Sequence, residues 1–211
     1  MNMKLFYFFI PLALTFFSCK ESGTYTIKTE FGNLTVKLLD SAPQHKANFE
    51  KLVNENFYDN LLFHRVISGF MIQGGDPQSK NAPTSAHLGS GGLDYLISAE
   101  IGTPHFKGML AAARQGDAVN PDKKSSGCQF YIVQGHPVTD EELDVMESSK
   151  GLKYSQAQRE KYKKIGGSPM LDGDYTVFGE VIEGLDVIDK IANAEKDSRD
   201  RPVKDIKMKI Y

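Results

Sequence analysis

The stretch that decides the fold reads FHRVISGFMIQGGD over residues 63–76. Its apolar residues are mostly β-branched or aromatic, and glycine interrupts them twice, which is typical of two short strands joined by a turn. Because side chains alternate along a strand, Arg65 is expected to share a face with Phe63. The stretch therefore predicts a pair of strands that carries a single arginine.

Short segments of the same kind recur along the rest of the chain. Glycine-rich turns separate them, and the first two alternate apolar and polar residues about Phe31-Gly32-Asn33, which predicts a β-hairpin. The predicted strands cover residues 25–29, 34–38, 62–67, 70–73, 95–99, 109–113, 129–134, 176–181 and 206–210. Many short strands are typical of a closed barrel or a sandwich.

Two amphipathic helices are predicted beside the strands. Ser41 and Gln44 match a capping box around Pro43, so we expect a helix to follow them, and a second helix is predicted over residues 185–192. The charged segment 136–168 carries two further capping patterns and is predicted to be a helical insertion at the surface. The chain is thus predicted to be mainly β: a closed eight-stranded antiparallel barrel, capped by two helices, with an extra helical insertion.

The composition suits one well-cored globular domain and argues against two kinds of function. The 211 residues are 40% hydrophobic and 25% charged, enough apolar material for a single core. A formal net charge of -2 argues against a nucleic-acid binder that tracks phosphates, because such a protein needs a basic surface. The five histidines are scattered and no cysteine cluster accompanies them, so no metal site is predicted.

The start of the chain differs in composition from everything that follows. After Lys4, an uncharged and mostly apolar run of about a dozen residues covers 5–17. It is short for a membrane-spanning helix and suits a signal peptide. The run ends in Ser18-Cys19, which resembles the bacterial lipoprotein processing box, where the cysteine becomes the lipidated N-terminus. Phe16 departs from the aliphatic residue usual in that box, so conventional cleavage nearby and an uncleaved anchor stay open as alternatives.

These features predict how the chain is organised and where it acts. Residues 1–19 are predicted to be the signal peptide, 20–23 a linker, and 24–211 one folded domain. All readings of the leader place this domain outside the cytoplasm, and the lipoprotein reading attaches it to an envelope membrane by the lipid on Cys19. Lys20 is not the acidic residue associated with retention at the inner membrane. The outer membrane, facing the periplasm, is therefore favoured, and surface exposure stays open.

Residues 63–76 resemble the signature of the cyclophilins, the barrel-shaped prolyl isomerases. The likeness extends to residues 108–113, 127–132 and 171–179, so that four ordered matches span most of the chain after Tyr25. The resemblance implies a monomeric peptidyl-prolyl cis/trans isomerase that needs no cofactor. Its substrates would be proline-containing segments of unfolded or flexible exported proteins, whose folding it would assist.

The chemistry of this reaction explains why an arginine matters. Rotation about an Xaa-Pro bond faces a barrier of about 18 to 20 kcal/mol, because the nitrogen lone pair is delocalised into the carbonyl. No bond breaks, so the site needs a fixed donor near the prolyl nitrogen and an apolar hole for the ring. Arg65 presents a permanent charge and a rigid fork of donors. Taken alone, an arginine is more often part of a structural ion pair; by resemblance Arg65 is the catalytic residue.

The resemblance also assigns the residues that hold the substrate. The positions matching the apolar proline pocket are Phe70, Met71, Tyr131 and Leu171. Strand alternation places Met71 on the same face as Gln73 and Phe70 on the other, so placing Phe70 in the pocket requires a local bulge. Gln73 matches a polar position that positions the substrate and supports the arginine.

Further matches surround this pocket. Ala113 and Arg114 lie where the family offers backbone groups to the peptide, and Gln129 matches a position that lines the groove. Tyr175 stands where many relatives carry histidine, and can still supply an apolar face and a hydroxyl. Met170 stands where cyclosporin-sensitive members carry tryptophan, so weak binding of that drug is expected.

Two other classes of protein stay open at this point. A binding module or holdase could keep the groove and use the charged insertion, 136–168, to grip a partner. The retention of Arg65 favours catalysis, since the pocket and the backbone would be enough for binding. A purely structural envelope lipoprotein would leave the whole constellation unexplained.

Overall fold

An eight-stranded antiparallel sheet carries the fold of residues 23–211, which are the residues that the computed structural model describes. The predicted signal peptide, Cys19 and most of the linker lie outside these residues. The strands are β1 (Thr24–Thr29), β2 (Gly32–Leu38), β3 (Phe63–Ile67), β4 (Met71–Gly74), β5 (Leu96–Ile97), β6 (Met109–Ala112), β7 (Ser125–Ser126), β8 (Phe130–Val133), β9 (Val177–Glu183) and β10 (Lys209–Ile210). The main sheet has the order β10-β1-β2-β9-β6-β8-β4-β3, and β5 pairs with β7 separately.

The sheet is an open half-barrel, so the prediction of a closed barrel is wrong. Its edge strands are β3 and β10. The strand β10 is only two residues long, and both of these residues pair with β1. The outer edge of β3 bonds instead to an irregular segment. The amide of Phe63 donates to the carbonyl of Ile206 at 2.9 Å, and that of Val66 donates to Asp200 at 2.8 Å. Because a loop satisfies these groups, closure by a ladder of strands is not required.

The described part of the chain contains four α-helices: α1 (Pro43–Asn54), α2 (Asp140–Lys150), α3 (Gln156–Ile165) and α4 (Leu185–Ala192). The helices α2 and α3 lie within residues 136–168, and each begins with the capping box that its sequence predicts. The capping box predicted for α1 is wrong, since no side chain of its own segment caps it. Glu100 caps it instead, accepting from the amides of Gln44 at 3.0 Å and His45 at 3.1 Å.

Side-chain alternation divides the sheet into two faces with separate hydrophobic clusters. One face packs with α1 and α4, and includes Ile72 and Phe130. The other face packs with the α2–α3 insertion, and includes Met71 and Tyr131. Neighbouring residues on β4 and β8 therefore point into different clusters. No helix within residues 23–211 is both long and apolar enough to span a bilayer.

Candidate active site

A bulge in β3 turns Arg65 away from the core. Phe63 pairs with Gly74 and Arg65 with Gln73, so the register shifts at the intervening residue, His64. One extra residue on a strand reverses the face of those that follow. Arg65 is therefore exposed on the face of Gln73, while Phe63 is fully buried on the opposite face. The expectation that Arg65 and Phe63 share a face is wrong for this reason.

Phe70 reaches the same face without the local bulge that alternation required. It lies in the turn before β4, where its amide donates to the carbonyl of Ile67 at 3.0 Å. Its own carbonyl accepts from the amides of Gln134 and Gly135, both at 3.0 Å. Because Phe70 precedes the strand, alternation does not apply to it. Its ring packs, partly buried, against the cluster that contains Met71.

The bulge in β3 and the turn before β4 place most of the predicted site residues around one cavity of about 150 Å³, here called the apolar pocket. Met71, Tyr131 and Leu171 form its buried part, with exposed fractions of 2%, 5% and 8%. The residues lining the apolar pocket are Arg65, Phe70, Met71, Gln73, Ala113, Arg114, Tyr131, Leu171 and Tyr175. In another protein, an apolar cavity of about this volume holds a benzene molecule. A five-membered proline ring is therefore of suitable size.

Gln129 is the predicted site residue that does not line the apolar pocket. Its buried amide nitrogen donates to the carbonyls of Gly89 at 3.0 Å and Gly91 at 2.6 Å. Its oxygen accepts from the amide of Gln73 at 3.0 Å. The oxygen of Gln73 in turn accepts from the Arg65 guanidinium at 3.3 Å. Gln129 therefore orients Gln73, and Gln73 can orient the arginine.

The two residues of the predicted backbone site differ in what they offer a peptide. The amide of Ala113 donates to Gln129 at 3.0 Å and its carbonyl accepts from Ser126 at 2.8 Å, so both groups are used. The backbone of Arg114 makes no such bond within residues 23–211. Of the two, Arg114 is therefore the one whose backbone is available to a bound peptide.

The Arg114 side chain shapes the rim of the pocket. Its guanidinium donates to the carbonyl of Asp174 at 2.7 Å and pairs with Asp117 at 2.7 Å. It also lies over the ring of Tyr175, 4.5 Å from its centroid, a cation–π arrangement. The Tyr175 ring meets that of Tyr131 edge to face at 6.0 Å. Tyr175 thus supplies an aromatic wall that Arg114 holds in place.

A buried polar network, here called the Asp172 network, lies beneath the pocket. The Tyr131 hydroxyl contacts His105 Nε2 at 3.0 Å, and His105 Nδ1 contacts Asp172 Oδ1 at 2.8 Å. The other carboxylate oxygen of Asp172 accepts from the hydroxyls of Tyr154 at 2.8 Å and Tyr162 at 2.5 Å. Burial, then the nearby Asp172, raises the pKa of both tyrosines, so they remain donors. The insertion is thereby tied to a pocket wall.

Sequence reasoning missed this network because its members come from distant segments. Tyr154 precedes α3, Tyr162 lies on it, and His105 lies in a loop far away along the chain. Each has an ordinary sequence context, and nothing in the spacing links it to Tyr131. Only the fold of the insertion against the sheet brings them together.

The chemistry of the apolar pocket is restricted to binding and hydrogen bonding. None of the described residues that line it is a serine, cysteine, histidine, aspartate or glutamate. A guanidinium group beside an apolar hole is compatible with a reaction that rotates a bond without breaking one. The fold and the site therefore indicate a class of enzyme: those that rotate the peptide bond before proline.

Comparison with known proteins agrees with this class. The family model for "Cyclophilin type peptidyl-prolyl cis-trans isomerase/CLD" matches residues 24–211. A protein of Staphylococcus epidermidis described as a peptidyl-prolyl cis-trans isomerase is 35% identical over 179 residues, covering 84% of this chain and 85% of the relative. A Streptococcus pyogenes protein described as a bifunctional phosphatase and isomerase is 34% identical over 184 residues, 86% of this chain and 36% of that protein.

Solved structures show the same fold. The crystal structure of a cyclophilin-type isomerase from Cryptosporidium parvum superposes with a TM-score of 0.63 at 26% identity, covering 90% of this chain and 97% of that one. The chain belongs to the cyclophilin-type peptidyl-prolyl cis-trans isomerase family. Its activity is the isomerisation of peptide bonds that precede proline in polypeptide substrates.

Proposed function

We propose that Arg65 is the donor that lowers the rotation barrier. The observation that carries this is its position: the guanidinium is exposed at the rim of the apolar pocket and bonds to Gln73. Within residues 23–211 no carboxylate pairs with it. The structural ion pair, which was the alternative role, therefore has no support among these residues.

The proposed role follows from how the amide changes during rotation. In the planar amide the nitrogen lone pair is delocalised, so the prolyl nitrogen is a poor acceptor. As the bond twists, the lone pair localises on nitrogen, which can then accept an N–H from Arg65. This hydrogen bond forms fully only in the transition state, and such an interaction raises kcat. The apolar pocket would hold the ring while the preceding carbonyl turns.

Turnover and affinity must be measured separately to test this role. The assay is exchange NMR on an Xaa-Pro peptide, which reports the catalysed rate, combined with titration of the same peptide, which reports the dissociation constant. The proposal requires a substitution at Arg65 to lower the catalysed rate by a far larger factor than it raises the dissociation constant.

We further propose that the substrates are exported proteins that fold outside the cytoplasm. The support is the leader over residues 1–19. Uncatalysed isomerisation takes tens to hundreds of seconds, which is slow enough to limit folding. The test is refolding of an exported protein whose slow phase depends on proline. We expect the chain to shorten that phase, and an unchanged phase would contradict a role in folding.

Lipidation of Cys19 gives a separate prediction. We expect the mature chain to begin at Cys19 and to carry acyl chains there, which anchor it to a membrane. Mass spectrometry of the N-terminal peptide and labelling with a palmitate analogue measure this. Cys19→Ala should abolish the label, and Cys128→Ser, at the other cysteine, should keep it. An unlabelled chain that begins elsewhere would show conventional cleavage, and one that retains Met1 would show an uncleaved anchor.

Weak binding of cyclosporin is predicted from Met170. This side chain is 51% exposed and lies in the short turn that ends at Leu171, beside the pocket. Methionine lacks the N–H donor of an indole. We expect weak binding by calorimetry, and Met170→Trp should strengthen it by restoring the donor. Nanomolar inhibition of the unaltered chain would contradict this prediction.

A further inference from the structure

A second cavity also borders Arg65. Its volume is about 490 Å³, and its charged lining consists of Arg65, Arg199 and Arg201. We call it the arginine cavity. Arg65 and Gln73 line both this cavity and the apolar pocket, so the two are adjacent. A peptide that places proline in one therefore brings a neighbouring residue close to the other.

The three arginines differ in how far their charges are already used. Arg201 is held within the protein, since it pairs with Asp205 at 2.8 Å and donates to the carbonyl of Pro83 at 2.9 Å. Arg199 is half-exposed and pairs with Asp197 only at 3.4 Å. Arg65 pairs with no carboxylate in the part of the chain that is described. Two guanidinium groups can therefore face a ligand.

The remaining polar groups add hydrogen-bonding capacity without opposing charge. His87 contacts Arg199 at 3.0 Å. His64 is buried, and its burial lowers its pKa to about 4, so it is neutral near pH 7. None of the described residues that line the cavity is an aspartate or glutamate. The charge that faces the cavity thus comes from arginine alone.

We propose that the arginine cavity is a subsite for an acidic side chain, a glutamate or aspartate of the substrate that flanks the proline. Arginine binds carboxylates through two parallel N–H donors, which suits this ligand better than a neutral or basic side chain. Arg199 is the residue that binds the carboxylate, while Arg65 remains hydrogen-bonded to Gln73 at the rim. The subsite deepens the proposed function, because it makes the enzyme prefer acidic sequences around proline.

The test compares peptides that differ at one residue beside the Xaa-Pro pair, which is glutamate, glutamine or lysine. One set of three varies the residue before the pair, and a second set varies the residue after it. With the full chain, we expect kcat/KM to fall in that order, by roughly two- to fivefold from glutamate to glutamine on one side, the range of an exposed ion pair. The preference should shrink as salt is added, because salt screens exposed charges.

Variants at Arg199 test whether this residue binds the acidic side chain. Arg199→Glu should reverse the order of the glutamate and lysine peptides, and Arg199→Ala should flatten it. The matched control is Lys164→Glu, the same charge change at an exposed residue of α3 that lines neither cavity. It should leave the order unchanged. An order that survives both Arg199 variants would overturn the proposal.

Failure of this subsite is distinguishable from failure of the proposed function. Turnover of the glutamine peptide without a preference for glutamate would overturn the subsite and leave the isomerase role standing. If the glutamine peptide is not turned over, the proposed function fails. The subsite is then judged by affinity alone, because titration of the same peptides must still rank glutamate above glutamine and lysine.

Discussion

Arg65→Ala should lower kcat for an Xaa-Pro peptide by about 10²- to 10³-fold, the usual effect of removing one transition-state donor. Affinity for the same peptide should change far less. The walls of the apolar pocket, among them Met71, Tyr131 and Leu171, remain intact and hold the ring in the planar ground state. The nitrogen offers a good acceptor only when the bond is twisted, so the lost interaction belongs to the transition state.

Arg65→Lys is the matched control for this experiment. It keeps the positive charge and loses the planar fork that spans the nitrogen and its neighbouring groups. We expect a loss of turnover between those of the wild type and Arg65→Ala. Equal losses of turnover and affinity would make Arg65 a binding residue. A folded wild type that does not accelerate rotation would favour the proline-peptide-binding module.

The identity of the site residues could be predicted from the sequence. The face of the sheet on which each side chain lies could not, because it depends on how the strands pair. The motif over residues 63–76 marked Arg65 and Gln73 as partners, and the structure brings them into contact. The face of Arg65 was predicted wrongly because the bulge at His64 is a property of two paired strands. Alternation read along a single strand does not reveal it.

Long-range contacts account for the other differences from the predictions. Glu100, which caps α1, lies more than fifty residues from Gln44, so no local capping rule applies. The barrel was expected to close because many short strands suggest it. The last segment instead satisfies the edge of β3 through single bonds such as that from Phe63 to Ile206. Local patterns set the elements, and tertiary contacts decide how they meet.

Asp172→Ala should lower the free energy of unfolding by about 3 to 5 kcal/mol, because several buried donors lose their acceptor at once. Its carboxylate accepts from the His105 amide at 2.7 Å, the His105 ring, and the hydroxyls of Tyr154 and Tyr162. All of these donors would lose their partner in a buried place, and each unsatisfied one costs about 1 to 3 kcal/mol, not additively. Chemical denaturation followed by circular dichroism measures the change.

Two milder changes calibrate this effect. Tyr162→Phe removes one of the donors and keeps the ring, so a loss of about 1 kcal/mol is expected. Asp174→Asn alters a neighbouring carboxylate that is partly exposed and pairs with Lys150 and Lys123, and we expect a loss of at most about 1 kcal/mol. If Asp172→Ala proved no more destabilising than Asp174→Asn, the network would not hold the insertion to the sheet.

The Asp172 network should also affect the pocket, because Tyr131 and Leu171 are both walls of the apolar pocket and close neighbours of the network. In Tyr162→Phe, which retains most of the stability, we expect KM for an Xaa-Pro peptide to rise by a few-fold while kcat changes little. A loosened wall weakens binding of the ring in the ground state and the transition state alike. A fall in kcat at constant KM would instead place the network in the rotation step beside Arg65.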